Sequence, residues 1–266
     1  MNSYKSPKAV QLLTAAILCL FILTPVVMAA GLSLKSTLPV RQENLAAFIE
    51  NNFSLRQYQN IMFHNPVYWK ALWNTLWLAL PSVLLTVIFS TLAAYGLISS
   101  RASHPLVLGY MMLALLPAQV LLVPNFVALS GLHLTGSRLA VILTCCFNPY
   151  YVYFVYRFSS GLPAETLEAA RMEGAGEVQV YRHIVLPQIA PGILTLVLIA
   201  GADLWNMVEQ PLAFLQSPGK FPLAMLFREL EGGIQYAGSI LFSLPMAVLF
   251  LCCGQDLVQG LEGKDA

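Results

Sequence analysis

Charge is scarce in this sequence. Of its 266 residues only 10% are Asp, Glu, Lys or Arg, and 58% are hydrophobic, whereas soluble domains carry about 25% charged residues. The shortage excludes an ordinary soluble domain. Fourteen basic and thirteen acidic side chains leave a net charge of +1, which gives nucleic acid nothing to bind. Cys19, Cys145, Cys146, Cys252 and Cys253 all lie inside apolar runs, with no C-x-x-C or Cys/His spacing. They read as small apolar packing residues, not as ligands or a redox pair. His64, His104, His133 and His183 are isolated in sequence, so no metal site is expected. G-x-x-x-x-G-K-S/T, G-x-S-x-G and H-E-x-x-H do not occur, so this chain is neither the ATPase of any machine nor a familiar hydrolase.

Long apolar runs are plentiful. The mean hydropathy is +0.69, and several runs exceed the ~18 residues that cross a bilayer core. The expected fold is an all-α polytopic membrane protein with six transmembrane helices in a single domain, 1–266. The spans fall at about 10–32, 72–98, 105–129, 139–156, 189–215 and 239–258. The first run is too long for a signal-peptide core and no clean A-x-A-like site follows it, so it reads as a retained span. Pro25, Pro117, Pro124 and Asn148-Pro149 interrupt the runs, as prolines do inside membrane bundles. Trp69, Trp73 and Trp77 recur every four residues. They predict an aromatic belt at the interface, with a sugar-stacking platform as the rarer reading. Between 43 and 63, Leu45, Phe48, Ile49 and Phe53 suggest a short amphipathic helix on the outer surface.

Six spans put both termini on one side. Lys5 and Lys8 favour a cytoplasmic N-terminus, which makes the segment 159–188 cytoplasmic as well. The full count of fourteen Lys and Arg does not decide the matter, because seven fall on each side.

That segment is the polar centre of the chain. Residues 165–187 read ETLEAARMEGAGEVQVYRHIVLP, with six charged residues among 23. Pro163 and Glu165 suit a first helical turn, and Gly174 suits the left-handed residue that ends it. Gly176-Glu177 then open a second short helix with Val178, Tyr181, Ile184 and Val185 on one side. The outcome is a helix–turn–helix at the membrane surface. Ala169 and Ala170 would let a partner approach the backbone, and Glu168 offers it a fixed anion. Spacing alone leaves a solvated connector equally open.

Glu168-Ala169-Ala170, Gly174, Ile184, Leu186 and Pro187 reproduce EAA-x3-G-x9-I-x-L-P. This resembles the cytoplasmic loop of permease subunits of bacterial ATP-binding-cassette importers. The wider pattern is similar to their carbohydrate-uptake branch, specifically its maltose-type second permease. Asn74, Ala93-Ala94-Tyr95-Gly96, Pro117-Ala118-Gln119-Val120 and Pro124 carry the likeness. Phe158, Pro163, Trp205-Asn206, Pro211-Leu212, Pro222-Leu223, Pro245 and Gly260-Leu261 complete it. The resemblance implies an ATPase-docking coupling loop containing Glu168, Ala169, Ala170, Arg171 and Gly174. It implies a bacterial inner-membrane, multi-pass permease that is not itself an enzyme. Its partners would be an ATPase dimer that binds ATP and Mg, a second homologous permease, an extracytoplasmic solute-binding protein and membrane lipids. This chain would hold no cofactor. Two positions depart from the pattern, Glu173 for the usual Asp, and Met207-Val208 for the usual Glu-Phe after Trp-Asn. The second puts an ordinary sugar substrate in doubt.

Asp203 sits inside the fifth run, where a charge costs about 2.5–3.5 kcal/mol on insertion scales. In one continuous helix Asp203, Asn206 and Gln210 share a stripe, and Trp205 and Glu209 a neighbouring one. These five are the candidate substrate pathway, with inter-helix packing bonds as the plain alternative. A different class also fits Asp203, a self-contained secondary transporter that uses it as the protonatable group.

Overall fold

The computed structural model describes residues 8–34, 53–99, 104–227, 230 and 233–262. Every described regular element is helical. Labelled in chain order, those that frame the site are α1 (Lys8–Ser33), α2 (Pro66–Ser99), α3 (His104–Ala114), α4 (Ala118–Gly131), α5 (Arg138–Cys146) and α6 (Pro149–Ser159). They continue with α7 (Ala164–Met172), α8 (Glu177–Val180), α9 (Ala190–Trp205), α10 (Glu209–Phe214) and α11 (Gly233–Glu262). Leu12–Ser33, Pro66–Ser99, Arg138–Ser159 and Gly233–Gly254 are each long and apolar enough to cross a membrane. Two further pairs pass together but are bent, 105–131 by 94° and 177–205 by 75°. The membrane protein expected from hydropathy is therefore present, with four to six crossings.

The chain forms two compact units, Met1–Trp69 with Phe227–Leu244, and Lys70–Leu226 with Pro245–Ala266. In the first, α1 leaves its apolar side chains exposed along most of its length. At its end Ser33 is buried and shares a 2.7 Å hydrogen bond with the Tyr58 hydroxyl. Of the outer amphipathic helix expected over 43–63, Leu45, Phe48 and Ile49 lie outside the described residues. The described part is Arg56–Gln59 running into a π-helical turn, Asn60–His64, with Phe53 exposed.

The second unit is organised on α2, which has two unlike faces. Trp73, Trp77, Leu80, Leu84, Ile88 and Leu92 are exposed, one stripe at helical spacing. Ser82, Thr86, Ser90 and Ala94 recur every four residues and are wholly buried. Small residues on that stripe let neighbouring backbones come close, which drives association where lipid removes the hydrophobic term. Thr86 accordingly bonds the Cys145 carbonyl across 3.4 Å. Buried Asn74 ties the N-terminal part of α2 to later segments of the chain. Its amide donates to the Gly219 and Phe221 carbonyls at 3.0 and 3.1 Å, and its oxygen accepts from Arg138 at 2.7 Å.

Three spans are broken, the third and fourth at interruptions that the prolines announced. The third stops at Ala114 and restarts at Ala118 behind Pro117, while Pro124 is carried within α4. The fourth breaks at Phe147-Asn148, where Asn148 caps α6 by accepting from Tyr150 N–H at 3.0 Å. The fifth was expected as one helix over 189–215, but α9 ends at Trp205 and α10 begins at Glu209. Pro211 is the reason. Its missing N–H and bulky ring disfavour a helix running through it, and are harmless in the first turn of a new one.

Candidate functional site

The signature segment folds as two short helices. In α7, Leu167 and Ala170 are buried, while Glu165, Thr166, Glu168, Ala169 and Met172 are exposed. Glu165 stands in the first turn, where an acidic group favours the helix dipole. The helix ends as its sequence predicts. Gly174 has φ +88, Ala175 N–H reaches the Ala170 carbonyl at 3.0 Å, and Gly174 N–H reaches that of Arg171 at 3.0 Å. These two bonds make a Schellman cap. At the start of α8, Gln179 reaches back to accept from Gly176 N–H at 3.0 Å. The continuation Tyr181–Val185 winds as a π-turn, which rotates the inward face. Val180 and Val185 are buried and Val178 is 77% exposed, so Val178 does not join the buried side expected for it.

A polar clamp fixes this pair of helices to the end of α2. Arg171 Nε donates to Glu177 Oε1 at 2.9 Å, and its Nη2 donates to Ser99 Oγ at 2.7 Å and to Glu177 Oε2 at 3.3 Å. Ser99 Oγ lies 3.0 Å from Glu177 Oε2, and the Tyr95 hydroxyl donates to the same oxygen. One turn earlier, Thr91 shares a 2.8 Å bond with the Tyr181 hydroxyl, and the Tyr95 and Tyr181 rings meet at a 46° tilt with centroids 5.3 Å apart. Thr91, Tyr95 and Ser99 are four residues apart, so one stripe of α2 serves both helices. These contacts hold the Glu177 carboxyl down to about 2, Tyr95 contributing most, then Arg171 and Ser99. The bond to Glu177 in turn raises the Arg171 guanidinium. Arg171 therefore turns toward the end of α2, while Ala169 stays exposed.

The second feature is a cavity of about 340 Å³, within the range of roughly 300–1,000 Å³ of small-molecule sites. It lies where the three broken spans meet. Leu113, Ala114 and Leu116 line it from the first break, Phe147 and Asn148 from the second, Asp203, Leu204 and Met207 from the third. Interrupted helices leave backbone groups without intrahelical partners, and in a membrane they are tolerated inside protein or around water. Asn125, Thr144, Tyr150, Tyr151 and Gln210 add polar groups to the wall. The Tyr151 hydroxyl donates to Asp203 Oδ2 at 2.9 Å.

The break at 206–208 divides the five residues expected on adjoining stripes. Asp203 and Gln210 reach the cavity. Asn206 instead donates to its own helix, at Ala202 O, across 2.9 Å. Trp205 is buried at 4% exposure and is not in the cavity wall. Glu209 accepts from Gln119 Nε2 at 2.6 Å. Tyr151, Asn125, Thr144 and Asn148 escaped the sequence reading. The proline after Asn148 and the one before Asn125 marked the places, without showing that they converge.

The pattern of the family described as "Binding-protein-dependent transport system inner membrane component" matches residues 71–254. The chain is 27% identical over 222 residues to the arabinooligosaccharides transport system permease protein AraQ of Halalkalibacterium halodurans, covering 80% of each. It is 25% identical over 255 residues to the trehalose transport system permease protein SugB of Mycobacterium tuberculosis, covering 91% of each. Its fold resembles a chain in the crystal structure of a bacterial ABC transporter involved in the import of the acidic polysaccharide alginate. That likeness has a TM-score of 0.78 at 18% identity and covers 96% of this chain and 99% of the other.

Proposed function

The chain belongs to the binding-protein-dependent transport system inner membrane components, and from that premise we propose how its two features divide the work. It is a multi-pass inner-membrane permease subunit of an ATP-driven importer, not a catalytic subunit, and such a permease works with an ATPase and a substrate-binding protein. On our reading α7 is the coupling helix and docks on the ATPase through the face that carries Glu168 and Ala169. Ala170, Gly174 and Arg171 shape and anchor the loop behind that face. ATP and Mg bind the ATPase subunits, and a second homologous permease completes the pathway. The loop and both termini are cytoplasmic. The cavity at the three helix breaks is this chain's share of the pathway, with Asp203 and Gln210 in its wall and Trp205, Asn206 and Glu209 supporting the break. The solute is a sugar or related polar compound, as the names of the relatives suggest. No observation favours a self-contained secondary transporter.

The observation that carries this reading is the clamp. A solvated connector has no need of a helix pair locked by several side-chain bonds to the end of a membrane span. The lock makes the loop a lever, because a force on α7 passes into α2. The test is Glu168→Lys, in the tagged chain expressed with its genomic neighbours. The variant should insert normally yet recover about tenfold less ATPase on mild-detergent purification, as when a charged partner faces a like charge. Full recovery of the ATPase and full uptake would rule out docking at Glu168.

A further inference from the structure

The cavity has an unusual charge balance. Asp203 is the one formally charged residue among those that line it. No Lys, Arg or His lines it. Tyr151, itself buried, holds Asp203 Oδ2 at 2.9 Å, and among the described residues no hydrogen bond is made to Oδ1. The carboxyl is thus oriented, exposed and able to accept from a solute hydroxyl. Asn125, Asn148 and Gln210 supply amides, and the half-exposed Tyr150 ring supplies an apolar face. An acidic saccharide would bring its carboxylate into this space with no guanidinium or ammonium to pair it, at a depth where an unpaired ion is costly.

We propose that this cavity admits polyhydroxy solutes without negative charge, and that Asp203, positioned by Tyr151, is the specificity residue that turns acidic saccharides back. The inference rests on the reading of the cavity as part of the solute pathway. It names what that pathway selects.

The experiment probes the sign of the field with thiol reagents instead of the unidentified solute. Thr144 lines the cavity, and its hydroxyl bonds only its own helix, at Ala140 and Val141 carbonyls, so Thr144→Cys is a mild reporter. It is placed in a chain whose five native cysteines are replaced, within the transporter purified with its partner subunits. The rates of a trimethylammonium-ethyl and a sulfonato-ethyl methanethiosulfonate are compared, each scaled to its rate with a free thiol. With Asp203 present the cationic reagent should be favoured about tenfold or more, the lower end of what field focusing in a cleft achieves. Asp203→Asn should bring the ratio near one and Asp203→Glu should keep it, with subunit assembly unchanged in both. A ratio near one in the parent, or a ratio that Asp203→Asn leaves unchanged, overturns the proposal while leaving the pathway reading intact. A cysteine unreactive to both reagents, with and without nucleotide, overturns the pathway reading itself.

Discussion

Arg171 and Glu177 show how orientation changes the meaning of a residue. In sequence Arg171 follows Glu168-Ala169-Ala170 and reads as part of a docking face, yet its guanidinium joins Glu177 and Ser99. Arg171→Glu and Glu177→Arg should each reduce uptake per ATP hydrolysed by about two- to thirtyfold, the usual span for residues in a coupling network. The double exchange should recover most of the loss, because the pair is restored with its sign reversed. A double variant no better than the singles would reduce the pair to two unrelated surface charges. The pH dependence follows from direction. Glu177 titrates lower when folded, at about 2, so its contribution is present above the ordinary carboxylate range and fades as pH falls toward that value. ATPase recovery through the loop should accordingly stay level from about pH 5 to about pH 8. Gly174 was legible from sequence because a left-handed cap depends on one residue. Arg171 was not, because its partners come from 72 positions away in α2 and six positions ahead in the loop.

At the scale of elements, hydropathy located the runs, prolines announced the interruptions of the third and fourth, and the break in the fifth was missed. A window average is blind to a break of three residues, although Pro117, Asn148-Pro149 and Pro211 each marked one. That the breaks share a cavity depends on how α3 to α6 and α9 pack, which periodicity does not encode. A close approach in that packing is Gly192 of α9 against Phe158 of α6. A Cβ at Gly192 would lie 2.7 Å from Phe158 Cγ and Cδ1, so either the ring or the helix must move. Gly192→Ala should destabilise the subunit by about 1–3 kcal/mol, as overpacking does, read as a lower unfolding midpoint in mild detergent. Adding Phe158→Leu should return much of it. An unchanged midpoint in Gly192→Ala would mean that the two helices are not in contact there.

For the whole molecule the number of crossings decides whether the coupling loop can work at all. Four helices qualify alone, and the bent pairs bring the number to six. With an N-terminus in the cytoplasm, six crossings leave 159–188 in the cytoplasm. If the bent pairs are re-entrant, four crossings place it outside, beyond any ATPase. Both counts put Ser217 outside, whereas Ser160 changes side between them, and both residues are exposed. In intact cells carrying a cysteine-free chain, an impermeant maleimide should therefore label Ser217→Cys, and should reach Ser160→Cys only after the membrane is opened. Labelling of Ser160→Cys from outside would leave Glu168 facing away from the ATP supply, and the docking face would need another partner.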